Sequence, residues 1–151
     1  MVEQIAYEID GWGVGELVFA DGLVAWHELP SSRREADGTH DLAERVRRYF
    51  AGAIDSFQDV SLELDWSTPF QQAVVEAMRS IPYGETASYG EIAALAGYPN
   101  AQRAVGSVCA ANRFALFVPC HRVVGADGLG SYGSLGPQYK RRLLELEGVV
   151  L

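Results

Sequence analysis

With 151 residues and 48% hydrophobic content, the chain is long enough for one domain, or two small ones, with a buried core. No apolar run approaches the roughly 20 residues of a membrane span, and the acidic stretch Met1 to Asp10 lacks the positive charge of a signal peptide, so a cytoplasmic protein with no membrane partner is expected. Two cysteines, Cys109 and Cys120, are too few for a disulfide framework, and with no Cys-x-x-Cys pair no metal site is expected. The net charge of −8 opposes nucleic-acid binding by the chain as a whole, because affinity for DNA comes largely from neutralising phosphates. The charge is uneven, however: residues 1–65 carry 5 Lys/Arg against 14 Asp/Glu, a net −9, and residues 66–151 carry 7 against 6, a net +1. A DNA partner, if there is one, falls to the second half.

The first half opens with three β-rich runs, Gln4 to Ile9, Val14 to Phe19 and Leu23 to His27, separated by Asp10-Gly11 and Asp21-Gly22. Asp-Gly supplies the positive φ of a tight hairpin turn, so the runs predict a small antiparallel meander. After a polar loop, Ser31 to Gly38, the apolar positions 42, 46, 49 and 50 of Asp41 to Phe50 fall at helical spacing and predict a helix that covers one face of the sheet. His27 and His40 stand alone as strand or surface residues, and no metal-ligand spacing occurs in residues 1–60. Residues 55–67 read as a linker. The expected domains are 1–60 and 66–151, an α+β architecture with a mainly helical second part.

That second part begins at Ser67-Thr68-Pro69, a cap followed by proline in the first turn, and predicts a helix from Pro69 to Ser80 with Phe70, Val74 and Met78 inward. Ile81-Pro82-Tyr83-Gly84 breaks it. Ser88 then caps a helix running to Gly97, and a turn at Tyr98-Pro99-Asn100 leads to a second helix, Ala101 to Ala111. Two short helices around a turn, with small residues at the crossing, have the form of a helix-turn-helix, and equally of an ordinary helical hairpin. Arg103 brings the second helix its one positive charge.

After Asn112 the apolar run Phe114 to Val118 delivers Pro119-Cys120-His121-Arg122. A buried approach stiffened by proline presents Cys120 as a nucleophile. Cysteine attacks as thiolate, whose formation a nearby base or positive charge favours; His121 can take the proton and Arg122 adds positive field. Adjacent side chains tend to point apart, so His121 is expected to act through a bridging water and to need a third group to orient it. Two carboxylates on the last helix, Tyr139 to Gly148, are available for that, Glu145 and Glu147, and spacing does not choose between them.

Val118-Pro119-Cys120-His121-Arg122-Val123 resembles the active-site signature of the O6-alkylguanine-DNA alkyltransferases, also called methylated-DNA–protein-cysteine methyltransferases. The likeness extends to Ile81-Pro82-Tyr83-Gly84-Glu85, Ser88-Tyr89, Ala101 to Gly106, Asn112 and Leu143 to Gly148, and so covers essentially all of residues 66–151. The resemblance implies an RNase H-like N-terminal fold and a C-terminal DNA-binding domain with a helix-turn-helix. It implies that Cys120 accepts an alkyl group from O6-alkylguanine, and possession of O4-alkylthymine activity stays open. The reaction uses each molecule once and needs no cofactor. By the same resemblance Glu147, rather than Glu145, orients His121; Tyr89 serves the guanine ring nitrogen N3; Asn112 ties the segments of the site together. The partner would be double-stranded DNA entered from the minor-groove side by a monomer, nucleoid-associated if the source is bacterial. Arg103 would fill the stack vacated by the flipped base, and Ala104 and Gly106 would allow close backbone approach. The base would lie near Val123 and Ser131-Tyr132-Gly133, with Cys109 and Ala115 also at the pocket.

The sequence departs from many relatives after Asn112, where Arg113-Phe114-Ala115 stands in place of an Asn-Pro step; the smaller Ala115 is expected to admit larger adducts such as O6-benzylguanine. Three other functions compete. A lesion sensor of the alkyltransferase-like type lacks the cysteine present here. A cysteine hydrolase leaves the paired helices unexplained, and a DNA-binding regulator leaves Cys120-His121 unused.

Overall fold

In the computed structural model, which describes residues 1–151, Val2 to Ser32 form an antiparallel meander of β1 (Val2–Ile9), β2 (Gly13–Ala20) and β3 (Leu23–Ser32), in that order across the sheet. Asp21 and Gly22 both take positive φ, 52° and 84°, as the tight turn between β2 and β3 demands. Gly15 on β2 has a different task. A Cβ there would lie 2.7 Å from the Tyr7 ring and 2.7 Å from the Glu28 carbonyl, so only glycine lets Tyr7 lie across the sheet. The helix α1 (Asp41–Phe50) buries Leu42, Val46 and Tyr49 as the spacing predicted. His40 is neither ligand nor bystander: its Nδ1 caps α1 by accepting the Leu42 N–H at 3.0 Å.

β3 is longer than its apolar run, and its outer edge is covered by two segments from elsewhere in the chain. Val24 donates to the Ser61 carbonyl (2.9 Å) and accepts from Glu63 N–H (2.8 Å), while the His27 N–H donates to the Arg113 carbonyl (2.8 Å). Residues 55–63 are therefore packed chain rather than linker. Phe57 and Val60 are buried, and Asp55 and Asp59 bind Arg45 of α1 at 2.8 and 2.9 Å. Burying those two apolar residues and satisfying the edge strand outweighs the freedom a linker would keep.

Contacts divide the chain into two compact units, Met1–Leu64 with Arg113–Phe117, and Asp65–Asn112 with Val118–Leu151. The second unit is mainly helical. α2 (Pro69–Arg79) starts with a reciprocal cap between Thr68 and Gln71 and buries Val74, Val75, Ala77 and Met78. Phe70, expected inward, is half-buried and sits edge-on to Tyr98, ring centroids 4.8 Å apart, because the first turn of α2 projects past the core. α3 (Tyr89–Leu95) is capped by Ser88 with Glu91 reaching back, and α4 (Gln102–Ala110) follows a turn in which Gly97 and Asn100 take positive φ. A short parallel pair, β4 (Ala87–Ser88) with β5 (Val123–Val124), ties the start of α3 to the strand that leaves Cys120. α5 spans Gly136–Leu146, one turn earlier than predicted, since Pro137 is an acceptable first-turn residue. The result is an α+β fold with one three-stranded antiparallel sheet. No helix is long and apolar enough to cross a membrane.

Candidate active site

Cys120 opens a single 3-10 turn, Cys120–Arg122, directly after Pro119, and is buried. Asn112 fixes it from the end of α4. One Nδ2 hydrogen goes to the Val118 carbonyl (3.0 Å) and the other to Cys120 Sγ (3.1 Å), so a single amide holds both the approach to the nucleophile and the nucleophile itself. Burial pushes the Cys120 thiol above its ordinary pKa; the Asn112 hydrogen bond, the Lys140 charge and Tyr132 pull the other way without reversing it. The resting nucleophile is therefore a neutral thiol, and thiolate has to be made by moving a proton.

The base that can take that proton is set by Glu147. His121 Nε2 lies 2.8 Å from Glu147 Oε2, both side chains fully buried. A carboxylate here only accepts, so Nε2 carries the hydrogen and the lone pair is on Nδ1, which is buried and bonds to no other protein atom. Burial lowers the His121 pKa and Glu147 opposes that, which keeps the ring neutral and basic at rest. Burial would raise the Glu147 carboxyl, but hydrogen bonds from His121 and Arg122 hold it well below the usual carboxylate range.

Arg122 does not serve the thiol as expected. Its Nε and Nη2 grip the two Glu147 oxygens at 2.8 and 2.9 Å, and Nη1 donates to the Ile81 carbonyl at 2.9 Å. Its charge balances Glu147, because a buried carboxylate needs a partner more than a thiol does.

The positive charge that does act on Cys120 comes from Lys140, a residue the sequence reading missed. Lys140 is fully buried on α5, and Nζ donates to the Val123 carbonyl (2.6 Å) and to the Ser131 carbonyl (3.4 Å). It also lies 5.8 Å from the centroid of the Tyr89 ring. The signal was present: Lys140 precedes the buried Leu143 and Leu144 by three and four residues and so shares their face of the helix.

Around these groups the other expected residues are spread unequally. Tyr89 starts α3, half-buried, and burial raises its phenol pKa so that it remains a donor. Gly130 is pressed against it, since a Cβ there would sit 3.0 Å from the Tyr89 hydroxyl. Val123 and Tyr132 are buried, whereas Ser131 and Gly133 are exposed. Cys109 is half-buried with Sγ 3.6 Å from Met78 Sδ, and burial pushes its thiol up to about 12, which makes it a poor second nucleophile. Arg103 and Ala104 are exposed on the first turn of α4, and a Cβ at Gly106 would meet nothing within 4 Å. Ala115 belongs to the first unit, where its carbonyl is the partner of His27 Nδ1.

Residues 69–149 match the DNA-binding domain of 6-O-methylguanine DNA methyltransferase. The methylated-DNA–protein-cysteine methyltransferase of Mycobacterium tuberculosis is 53% identical over 105 residues, which are 69% of this chain and 62% of that protein. Its counterpart in Methanosarcina acetivorans is 46% identical over 125 residues, 82% of this chain and 74% of that one. The chain belongs to the methylated-DNA–protein-cysteine methyltransferase family. A crystal structure of Mycobacterium tuberculosis OGT in complex with DNA superposes with a TM-score of 0.81 at 38% identity, covering 96% of this chain and 92% of that one. For this methyltransferase-family chain the match includes the whole of the Cys120, His121, Arg122, Lys140 and Glu147 cluster, all of it inside residues 69–149.

Proposed function

We propose that the protein repairs O6-alkylguanine in double-stranded DNA by taking the alkyl group onto Cys120 in a reaction that each molecule performs once. The carrying observation is the buried Cys120 beside a histidine whose tautomer is fixed by Glu147. The Cys120 proton passes through a bridging water to His121 Nδ1, and Glu147 stabilises the imidazolium that forms. Sulfur attacks the alkyl carbon, a C–S bond forms as the C–O6 bond breaks, and the electron pair goes to the purine. Tyr89 eases that departure by giving a hydrogen bond or proton to N3. The product thioether is stable, so no second step restores the thiol. Lys140 contributes positive charge where thiolate develops. The same pocket chemistry extends to O4-alkylthymine if the smaller base is held against Val123 and Ser131-Tyr132-Gly133.

The target atom is inside the stack of a duplex, so the nucleotide has to leave it. We assign α3 and α4 to a helix-turn-helix that approaches the minor groove, Arg103 filling the vacated stack and Ala104 presenting little bulk. Gly106 supports this reading. Glycine inside a helix costs about 0.5–1 kcal/mol relative to alanine, and no atom of the protein needs the space its missing side chain leaves. Residues 66–151 would then be the DNA-binding and transfer domain and residues 1–60 an RNase H-like domain, the protein acting as a monomer in the compartment that holds DNA, the cytoplasm. Ala115 and Cys109 are assigned to the wall that sets adduct size.

The test is the Cys120→Ser variant with a duplex bearing one O6-methylguanine. It should bind the duplex and leave the lesion intact on base analysis, while the parent removes it in one equivalent. Removal by the variant, or removal of many equivalents by the parent, contradicts the proposal.

A further inference from the structure

The five residues Arg113–Phe117 lie between Asn112 and Val118, the two ends that the Asn112 amide joins to Cys120, yet they pack within the first unit. What holds them there is His27 of β3. Its backbone N–H donates to the Arg113 carbonyl at 2.8 Å and its Nδ1 bonds the Ala115 carbonyl, so one residue grips the segment twice. A carbonyl only accepts; Nδ1 therefore carries the hydrogen, and Nε2 must accept from the Tyr7 hydroxyl, its other partner. Tyr7 reaches His27 across β2 because Gly15 leaves room, and the Phe117 ring stacks on His27 with centroids 4.6 Å apart. Every polar atom of the imidazole is thus committed.

The residue after Ala115 shows what this grip is for. Leu116 takes φ +77°, in the left-handed region that costs a non-glycine residue energy and survives only where the surroundings impose it. It is buried, and it is the point at which the chain leaves β3 and turns toward Val118, Pro119 and Cys120. Freed of the Ala115 anchor, Leu116 would relax, and the Val118 carbonyl and Cys120 Sγ would shift against the Asn112 amide that spans them.

We propose that His27, through its Nδ1–H bond to the Ala115 carbonyl, is a positioning residue for alkyl transfer. It acts through the backbone of residues 115–120 and touches no reacting atom. The inference rests on the alkyl-transfer reading and adds to it a role for a side chain in the first unit.

His27→Leu removes the donor to Ala115, and His27→Asn restores one near the position of Nδ1. Two readouts are needed: the single-turnover rate of methyl transfer from duplex DNA per folded protein, and the rate at which iodoacetamide labels Cys120 without DNA. His27→Leu should slow transfer by about tenfold or more, since small misplacements of a nucleophile are costly, with duplex affinity unchanged. Labelling should quicken as the thiol loses its clamp. His27→Asn should recover both. Tyr7→Phe, which removes only the donor to Nε2, should move both in the same directions more weakly and serves if His27→Leu fails to fold. Transfer and labelling at parental rates in His27→Leu or Tyr7→Phe, or an Asn variant as impaired as Leu, would overturn the proposal. A parent protein that gains no methyl refutes the alkyl-transfer reading instead, and the labelling arm still decides the position of Cys120.

Discussion

Replacing Glu147 by Gln tests the arrangement at its most connected point. The Glu147 carboxylate accepts three charge-assisted hydrogen bonds, from His121 at 2.8 Å and from Arg122 at 2.8 and 2.9 Å, in a fully buried setting. An amide is neutral and turns one of those acceptors into a donor that faces another donor. Arg122 is left buried without its counter-charge, which costs about 3–5 kcal/mol. For a chain of this length each kcal/mol is about 2–4 °C, so the melting temperature should fall by about 10 °C. The chemical cost is separate, since His121 loses both the partner that fixes its tautomer and the charge that stabilises its imidazolium. Single-turnover transfer, measured by rapid quench on a duplex with one O6-methylguanine and normalised to folded protein by circular dichroism, should fall by about 10²-fold or more. A folded Glu147→Gln protein that transfers within about threefold of the parent would refute the assignment of His121 as the base.

Other perturbations follow from the same geometry. Lys140→Met removes the buried positive charge beside the thiol; the pH profile of Cys120 labelling by iodoacetamide should move to higher pH, and transfer at neutral pH should slow by about tenfold, while an unmoved profile would show that Lys140 only props the loop. Gly106→Ala should stabilise the protein by about 1 kcal/mol in denaturant melts and weaken duplex binding measured by anisotropy; undiminished binding would contradict backbone approach at α4. Burial lowers the His27 pKa to about 4, from an ordinary 6.5, so the stability this neutral ring contributes is fully present above the unfolded value and is lost as pH falls from 6.5 toward 4. The loss amounts to about 3 kcal/mol. Urea midpoints at pH 7 and at acid pH should therefore drop less in His27→Asn than in the parent, and equal drops would place the acid sensitivity elsewhere.

Much of the local structure was legible because its signals are local. Asp21-Gly22, Thr68-Pro69 and Ser88 with Glu91 each announced a turn or cap that forms as predicted. The choice between Glu145 and Glu147 was not settled by spacing alone, although a physical criterion existed. Leu143 and Leu144 define the buried face of α5, and Glu147 lies four and three residues beyond them while Glu145 points to solvent. Lys140 was hidden by its basic neighbours Arg141 and Arg142, which made a core residue look like part of a solvated run. The role of His27 was beyond reach for a different reason. Its partner Ala115 is 88 residues away, and the bond is to a backbone carbonyl that carries no residue-type signal. Residues 55–63 were misjudged on similar grounds, since pairing with the edge of β3 uses main-chain groups that any sequence supplies.

The central claim is that Cys120 itself takes the alkyl group, and intact-protein mass after incubation with a duplex bearing one O6-methylguanine addresses it directly. The account predicts a gain of about 14 Da, one methyl for one hydrogen, that saturates at one equivalent and maps to the peptide containing Cys120. No gain despite lesion-selective binding, or a methyl found on Cys109 or any other residue, would contradict it.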